Sequence, residues 1–308
     1  MASCIVFAYS EVGVRCLDVL IEQGISVPLL FTHADDPRET QWFGSVVQLA
    51  ARHGIPTVMP DDPNREEWLA RGRALVPDFL FSFYYRYMLG AEWLKVPSRG
   101  ALNLHGSLLP RYRGRAPVHW AILNGEEQTG ASLHYMLEKP DAGALVDQQA
   151  VPIRLNDDAL TVSRRVAEAA AQVLARSLPA LLAGTAPAVP LDLAQGSYFG
   201  RRRPEDGRID WRQGARRIHD LVRAVAPPFP GAFAKVRDLT AFFWETRLDE
   251  TPPRYPDRAP CLYAEPDGWY VDCVDRRRLR VTRLALDGRA LALNEIPPAW
   301  SQQPIPLD

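Results

Sequence analysis

The chain has 308 residues, 47% hydrophobic and 24% charged, enough for a full core in two domains and typical of an ordinary globular protein. Its 36 basic and 37 acidic residues leave a net charge of −1, and Glu205 to Asp308 carries 16 of each, a balance that argues against the basic domain of a broad nucleic-acid footprint. The start, MASCIVFAYS, lacks a signal peptide's basic and long apolar regions, and no stretch reaches about 18 apolar residues. Cys4, Cys16, Cys261 and Cys273 show no CxxC spacing and the six histidines no ligand spacing. These features predict free thiols in a reducing cytoplasm, no membrane insertion and no metal.

SCIVFAYS (3–10) reads as a buried strand. EVGVRCLDVLIEQG (11–24) then puts Val12, Val14, Leu17, Leu20 and Ile21 on a helical stripe ended by Gly24. SVPLLFTH predicts a second strand, WFGSVVQLAARHG a helix, PTVM a short strand, REEWLARGRAL a helix, and PDFLFSFYY and GALNLHG two more strands. Strands alternating with helices predict parallel βαβ units, so the fold class is α/β with a doubly wound, mostly parallel, Rossmann-like sheet. The turn after the first strand, AYSEVG, has one glycine rather than GxGxxG, so no NAD is expected.

From Ser132 the texture changes. SLHYMLE and ALVDQQAVPI predict two strands joined by KPDAG, and residues 157–184 a long helix capped by Asp157 or Asp158 and kinked in its last turn by Pro179. A Pro- and Gly-bearing connector follows. One helix, RQGARRIHDLVRAVA, precedes the β-like runs AFAKV, LTAFFWETRL, GWYVDCV and LRVTRLAL, and the last dozen residues read as a tail. The domains predicted are 1–188 (catalytic, Rossmann-like), 189–206 (linker) and 207–308 (a small β-rich, OB-like barrel).

NLHGSLLPRYRGRAPVHW (103–120) carries the chemistry. Residues i and i+2 of a strand share a face, so Asn103 and His105 point together at a strand's carboxyl end, where open α/β sheets place their ligand crevice. An Asn amide can donate to an oxyanion and a His can move a proton near neutral pH, a minimal kit for acyl-type transfer. Asp141, in KPDAGALV, is a candidate for orienting the His and favouring its imidazolium. Spacing alone leaves all three open to a structural reading. Arg111, Arg113 and Arg115, and Arg201 to Arg203, read by default as solvated, with contact to a diphosphate as the alternative for Arg113 and Arg201 to Arg203. His119 and His134 read as structural.

Taken together, NLHGSLLPRYRGRAPVHWAILNGE, TGASLHYM and an Asp 36 residues past the His resemble the signature run of the folate-dependent formyltransferases. VFAYSEVGVRCLDVL, DGRIDW and VRAVAPPFPGAF extend the likeness over nearly the whole chain. The resemblance implies 10-formyltetrahydrofolate as co-substrate. Asn103, His105 and Asp141 would be the catalytic residues, and Tyr87, Met88, Leu89, Arg115, Leu137, Glu138, Lys139, Pro140 and Asp141 would line the folate site. Tyr87 and Met88 also fit a plain core reading. Gly106, FTHADDP, FSFYYRYML and YFGRRRPEDG are similar to the branch that acts on UDP-4-amino-4-deoxy-L-arabinose, in the formyltransferase half of bifunctional polymyxin-resistance proteins. That branch implies a nucleotide-linked amino sugar as partner and a place in lipid A modification. Methionyl-tRNA formylation, another nucleotide amino sugar, formyl-folate hydrolysis and a non-catalytic binding module are the alternatives.

Overall fold

The apolar runs become strands in the order expected. They are β1 (Ser3–Ala8), α1 (Ser10–Glu22), β2 (Ser26–Phe31), α2 (Val46–Arg52), β3 (Thr57–Val58), α3 (Glu66–Ala74), β4 (Phe79–Phe83), α4 (Ala91–Leu94), β5 (Ala101–His105), β6 (Arg113–Gly114), α5 (Pro117–Leu123), β7 (Gln128–Tyr135), β8 (Leu145–Pro152), α6 (Ala159–Ala183) and β9 (Tyr198–Phe199). There follow α7 (Ala215–Val225), β10 (Ala232–Val236), β11 (Leu239–Asp249), β12 (Cys261–Glu265), β13 (Gly268–Asp272), β14 (Arg278–Leu286), β15 (Arg289–Ala290) and β16 (Ile305–Pro306). The computed structural model describes residues 2–37, 40–292 and 303–308. One compact unit comprises residues 1–117, 128–152 and 162–201, and a second comprises 118–127, 153–161 and 202–308.

The first unit is built on a sheet ordered β3-β2-β1-β4-β5-β7-β8. β1 to β5 pair in parallel, while β7 runs antiparallel to both β5 and β8. Strand order reverses between β1 and β4, the switch point at which such sheets open a crevice beyond their carboxyl ends. Both faces are covered, as parallel strands require. Ile5, Phe7, Leu29, Phe31 and Leu80 pack on one side with Leu69 and Trp93, and Val6, Leu30, Phe81 and Phe83 are also fully buried.

Helix ends follow local chemistry. Ser45 caps α2 by accepting the Gln48 N–H at 3.3 Å, and Asp158 accepts the Thr161 N–H at 2.7 Å at the start of α6. Pro179 lies inside α6, which still runs to Ala183. α6 is long and apolar enough to cross a membrane by length and composition alone, but half of its apolar window is buried in the fold. Val162, Val166, Ala170, Val173, Leu174 and Leu178 are wholly buried, which makes it a core helix.

The second unit holds an antiparallel sheet ordered β10-β11-β14-β13-β12-β16, with β15 added on β14. It curls around a core of Trp211, Ile218, Val222, Phe243, Trp269 and Val281, to which α7 contributes one face. The expected tail needs correction. Residues 297–302 lie outside the described residues, but Ile305 pairs with Leu262, and Ile305 and Leu307 are 2% and 4% exposed. Their period-two spacing turns both side chains into the core. All four cysteines are free and buried; Cys261 faces Asp272 rather than Cys273 across its hairpin.

Trp93 anchors the first unit. It is fully buried, meets Phe7 and Phe31 edge-on at 5.0 and 5.3 Å, and donates its Nε1–H to the Pro63 carbonyl at 2.9 Å. Gly72 makes room for it, since a Cβ there would lie 2.5 Å from the indole. Trp93→Ala is expected to destabilise the protein by about 3–5 kcal/mol, measured by urea unfolding.

Candidate active site

β5 is held in register by β4 on one side, with Ser82 opposite Asn103, and by β7 on the other, with His134 opposite Asn103. The loop after β7 folds back and brings Asp141 over the same face. Asp141 Oδ1 then lies 3.4 Å from Asn103 Nδ2, 3.5 Å from His105 Nδ1 and 3.6 Å from His134 Nε2. Its second oxygen accepts the Gly114 N–H at 2.9 Å. Sequence spacing put Asn103 and His105 on one face and left Asp141 as a candidate to orient the His; the fold brings these three side chains together. His134, read as structural, belongs to the same cluster: its Nε2 is 3.1 Å from Asn103 Nδ2 and it is 1% exposed. No motif marks it, because the contact arises from cross-strand register.

The backbone assigns the histidine protons. His105 Nε2 is 2.8 Å from the Tyr112 carbonyl oxygen, which can only accept, so Nε2 carries a hydrogen and donates. Nδ1, facing Asp141, is the nitrogen left to gain or lose a proton. His134 Nδ1 is 2.8 Å from the Tyr135 carbonyl oxygen and donates in the same way. Its Nε2 is bare in the neutral ring and accepts from Asn103, which fixes the Asn103 amide with its N–H groups toward His134 and Asp141.

Burial acts to push the Asp141 carboxyl up. His105 and His134 in their protonated forms, the latter then able to donate Nε2–H, together with the Gly114 N–H outweigh it and hold the group well below the usual carboxylate range. Asp141 is therefore an anion at every working pH.

Each loop has a local reason for its shape. Asp141 has φ +50°, a left-handed conformation that Asp tolerates better than most residues. Gly143 is required two residues later, since a Cβ would fall 1.8 Å from the Tyr135 oxygen. Gly114 has φ +96°, with the Phe199 oxygen 2.3 Å from where a Cβ would stand; only glycine lets its N–H meet Asp141 there. The Pro- and Arg-rich loop is pinned by β6–β9 pairing. Ser132 Oγ donates to the Ser107 carbonyl at 2.7 Å, and Tyr112 stacks on Phe199 at 5.1 Å. Arg111 and Arg115 are exposed, as expected of a solvated loop. Arg113 is not: it is 9% exposed, because strand pairing carries its side chain in beside the Tyr198 ring, 6.0 Å from the centroid.

Beside this cluster, Tyr84 ends β4 with φ +57°. A Cβ on residue 106 would lie 1.7 Å from its phenol oxygen, so Gly106 makes room for that ring. Burial, then Cys16 and Asp141, push the phenol's pKa up, and it stays a hydroxyl.

Of the residues expected at the folate site, Tyr87, Met88 and Leu137 are 43%, 52% and 56% exposed, against the core reading of the first two. Tyr87 stands edge-on to His33 at 4.8 Å. His33 accepts the Arg86 N–H at 2.9 Å, and burial and then Arg86 lower its pKa to about 4. Glu138 and Lys139 are exposed and Pro140 half-buried. Leu89 is 7% exposed and packs in the core. Arg115 donates to the Arg86 carbonyl at 2.8 Å and so links the loop after β5 to the loop after β4. His119 lies in the second unit and donates Nδ1–H to the Ala224 carbonyl at 2.7 Å, a structural role. Among the described residues no group of three or more His, Cys, Asp or Glu is placed to hold a metal ion.

The fold resembles those of several solved proteins. An N-formyltransferase from Helicobacter canadensis, solved with folinic acid and dTDP-3-aminofucose, superposes with a TM-score of 0.72 at 18% identity, over 91% of this chain and 99% of that one. The sugar 3N-formyltransferase WlaRD, solved with dTDP and 5-N-formyl-THF, gives 0.70 at 16% identity over 94% and 98%. HypX from Aquifex aeolicus, solved with tetrahydrofolic acid, gives 0.65 at 18% identity over 99% of this chain and 48% of its own. At these identities the likeness is one of fold. Family assignment rests on the sequence: residues 4–178 match the family described as formyl transferase, and residues 202–296 match the formyl transferase C-terminal domain. The chain belongs to the formyl transferase family.

Proposed function

We propose that the protein moves a formyl group from 10-formyltetrahydrofolate to the amine of a nucleotide-linked amino sugar, with UDP-4-amino-4-deoxy-L-arabinose as the acceptor and lipid A modification as its setting. The observation that carries this reading is the carboxylate-centred cluster of Asn103, His105, His134 and Asp141. It joins an oriented amide donor to a histidine whose Nδ1 faces the carboxylate. The solved neighbours that hold folates together with nucleotides or nucleotide sugars support this choice of substrates, as do the neutral C-terminal third and the acidic THADDPRET segment.

In this mechanism the acceptor nitrogen attacks the formyl carbon and the carbonyl electron pair moves onto oxygen. Asn103 donates an N–H to that oxyanion. Its bond to Asp141, at 3.4 Å, is the longer of its two and the easier to exchange. His105 Nδ1 takes the proton lost by the attacking amine. The oxyanion's electron pair then re-forms the carbonyl as the C–N10 bond breaks, that bond's pair stays on N10, and the imidazolium delivers the proton there. Asp141 stabilises that imidazolium across 3.5 Å while staying ionised. The exposed Tyr87, Met88 and Leu137 offer apolar surface to a flat pterin, and strand-end main-chain groups offer its edges hydrogen bonds.

Three measurements test this. Incubated with 10-formyltetrahydrofolate, the protein should formylate UDP-4-amino-4-deoxy-L-arabinose and leave methionyl-tRNA unmodified. Formylation of the tRNA, or formyl release that needs no amine, would replace this reading by an alternative. Asn103→Ala should lower kcat by about 10²–10³, the usual loss for one oxyanion donor, and His105→Ala by at least about 10²; turnover near wild type in either would remove that residue from the chemistry. Asp141 sets an acid limb on stability. A carboxyl whose folded pKa is depressed stabilises above the ordinary range near about pH 4, and that contribution fades as pH falls toward the lower folded value. The unfolding free-energy difference between wild type and Asp141→Asn should therefore shrink as pH falls below about 4, followed by urea unfolding across pH.

A further inference from the structure

Burying a charge is tolerated when a partner compensates it, and this chain follows that rule almost throughout. Arg223, 4% exposed, pairs with Asp220, 3% exposed, at 2.8 Å. Arg278, 7% exposed, meets Glu265 at 2.6 Å. Asp272, fully buried, accepts the Tyr263 hydroxyl at 2.8 Å and the Tyr255 N–H at 2.5 Å.

Arg113 breaks the rule. It is 9% exposed, yet no carboxylate among the described residues pairs with it, and its buried Nε has no hydrogen-bond partner among them. Its guanidinium lies over the Tyr198 ring, 6.0 Å from the centroid. An arginine stays charged, and its planar fork matches phosphate and carboxylate oxygens two at a time. It is also held in place: its N–H donates to the Ser197 carbonyl at 3.0 Å, and the next residue, Gly114, is tied to Asp141. An unpaired, buried, oriented guanidinium one residue from the catalytic carboxylate's anchor has the features of a receptor for a substrate anion.

We infer that Arg113 binds a substrate oxyanion, either the diphosphate of the acceptor or the glutamyl carboxylate of the folate. The inference rests on the proposed formyl transfer only for the identity of these two anions. Partnering by a ligand explains why the chain keeps a buried charge that its described residues leave uncompensated.

The test follows melting temperature with UDP, with inorganic pyrophosphate and with 5-formyltetrahydrofolate, on wild type and Arg113→Met. Without ligand, Arg113→Met should melt at or above wild type, because an unpaired charge gives way to an apolar side chain of similar reach. With ligand it should lose a shift that wild type shows. Loss with UDP and pyrophosphate alone assigns the diphosphate; loss with 5-formyltetrahydrofolate alone assigns the carboxylate. Should Arg113→Met fail to fold, Arg113→Lys keeps the charge but not the fork, and is expected to weaken the same ligand by about tenfold. Ligand shifts unchanged in the variants, or absent from wild type, would overturn the anion site. Wild type that shows the Arg113-dependent shift but formylates no amino sugar would leave the anion site standing and remove the proposed activity.

Discussion

One carboxylate organises the candidate site. Asp141 is nearly enclosed, 12% exposed at its side chain, and an isolated anion there would be expensive. It is kept ionised by groups from three segments: His105 on β5, His134 on β7 and the Gly114 N–H on β6. Each of those groups has a second constraint. His105 is tied to the Tyr112 carbonyl and His134 to the Tyr135 carbonyl, while Gly114 needs a backbone that only glycine adopts beside Phe199. The carboxylate thus converts strand register and loop shape into fixed proton positions, and pre-organisation of that kind gives a site its effect on a transition state.

Much of this was legible in the sequence, for physical reasons. Alternation of apolar strands and helices marked the doubly wound sheet, and period two placed Asn103 and His105 on one face. KPDAG was read as the connection between two strands, and the left-handed Asp141 and the close-packed Gly143 turn the chain there. What stayed hidden depends on pairing between distant segments. His134 meets Asn103 through β5–β7 register, and nothing within either strand encodes which residue stands opposite. Arg113 looked like a solvated loop residue until its pairing with Tyr198 turned it inward. Ile305 and Leu307 are too few to signal a strand, and they pack because β12 offers an edge.

The two units treat buried polarity differently. In the second, His219 is held between Thr246 and the Leu155 carbonyl, both at 2.9 Å, and Asp220 and Arg223 neutralise each other. Burial lowers the His219 pKa, so this ring is a neutral brace. In the first unit, Asp141 stays ionised between two histidines, and the buried Arg113 has no carboxylate partner among the described residues. Residues that satisfy one another build the fold, and those that do not are where a substrate would complete the structure.

The most direct test of this account is the protonation of the two histidine rings, read by ¹⁵N NMR on protein labelled in its histidines. In the neutral rings, His105 should carry its hydrogen on Nε2 and His134 on Nδ1, in wild type and in Asp141→Asn alike, because backbone carbonyls fix both. The opposite tautomer at His105 would turn its basic nitrogen away from Asp141 and contradict the proton path; at His134 it would release the Asn103 amide.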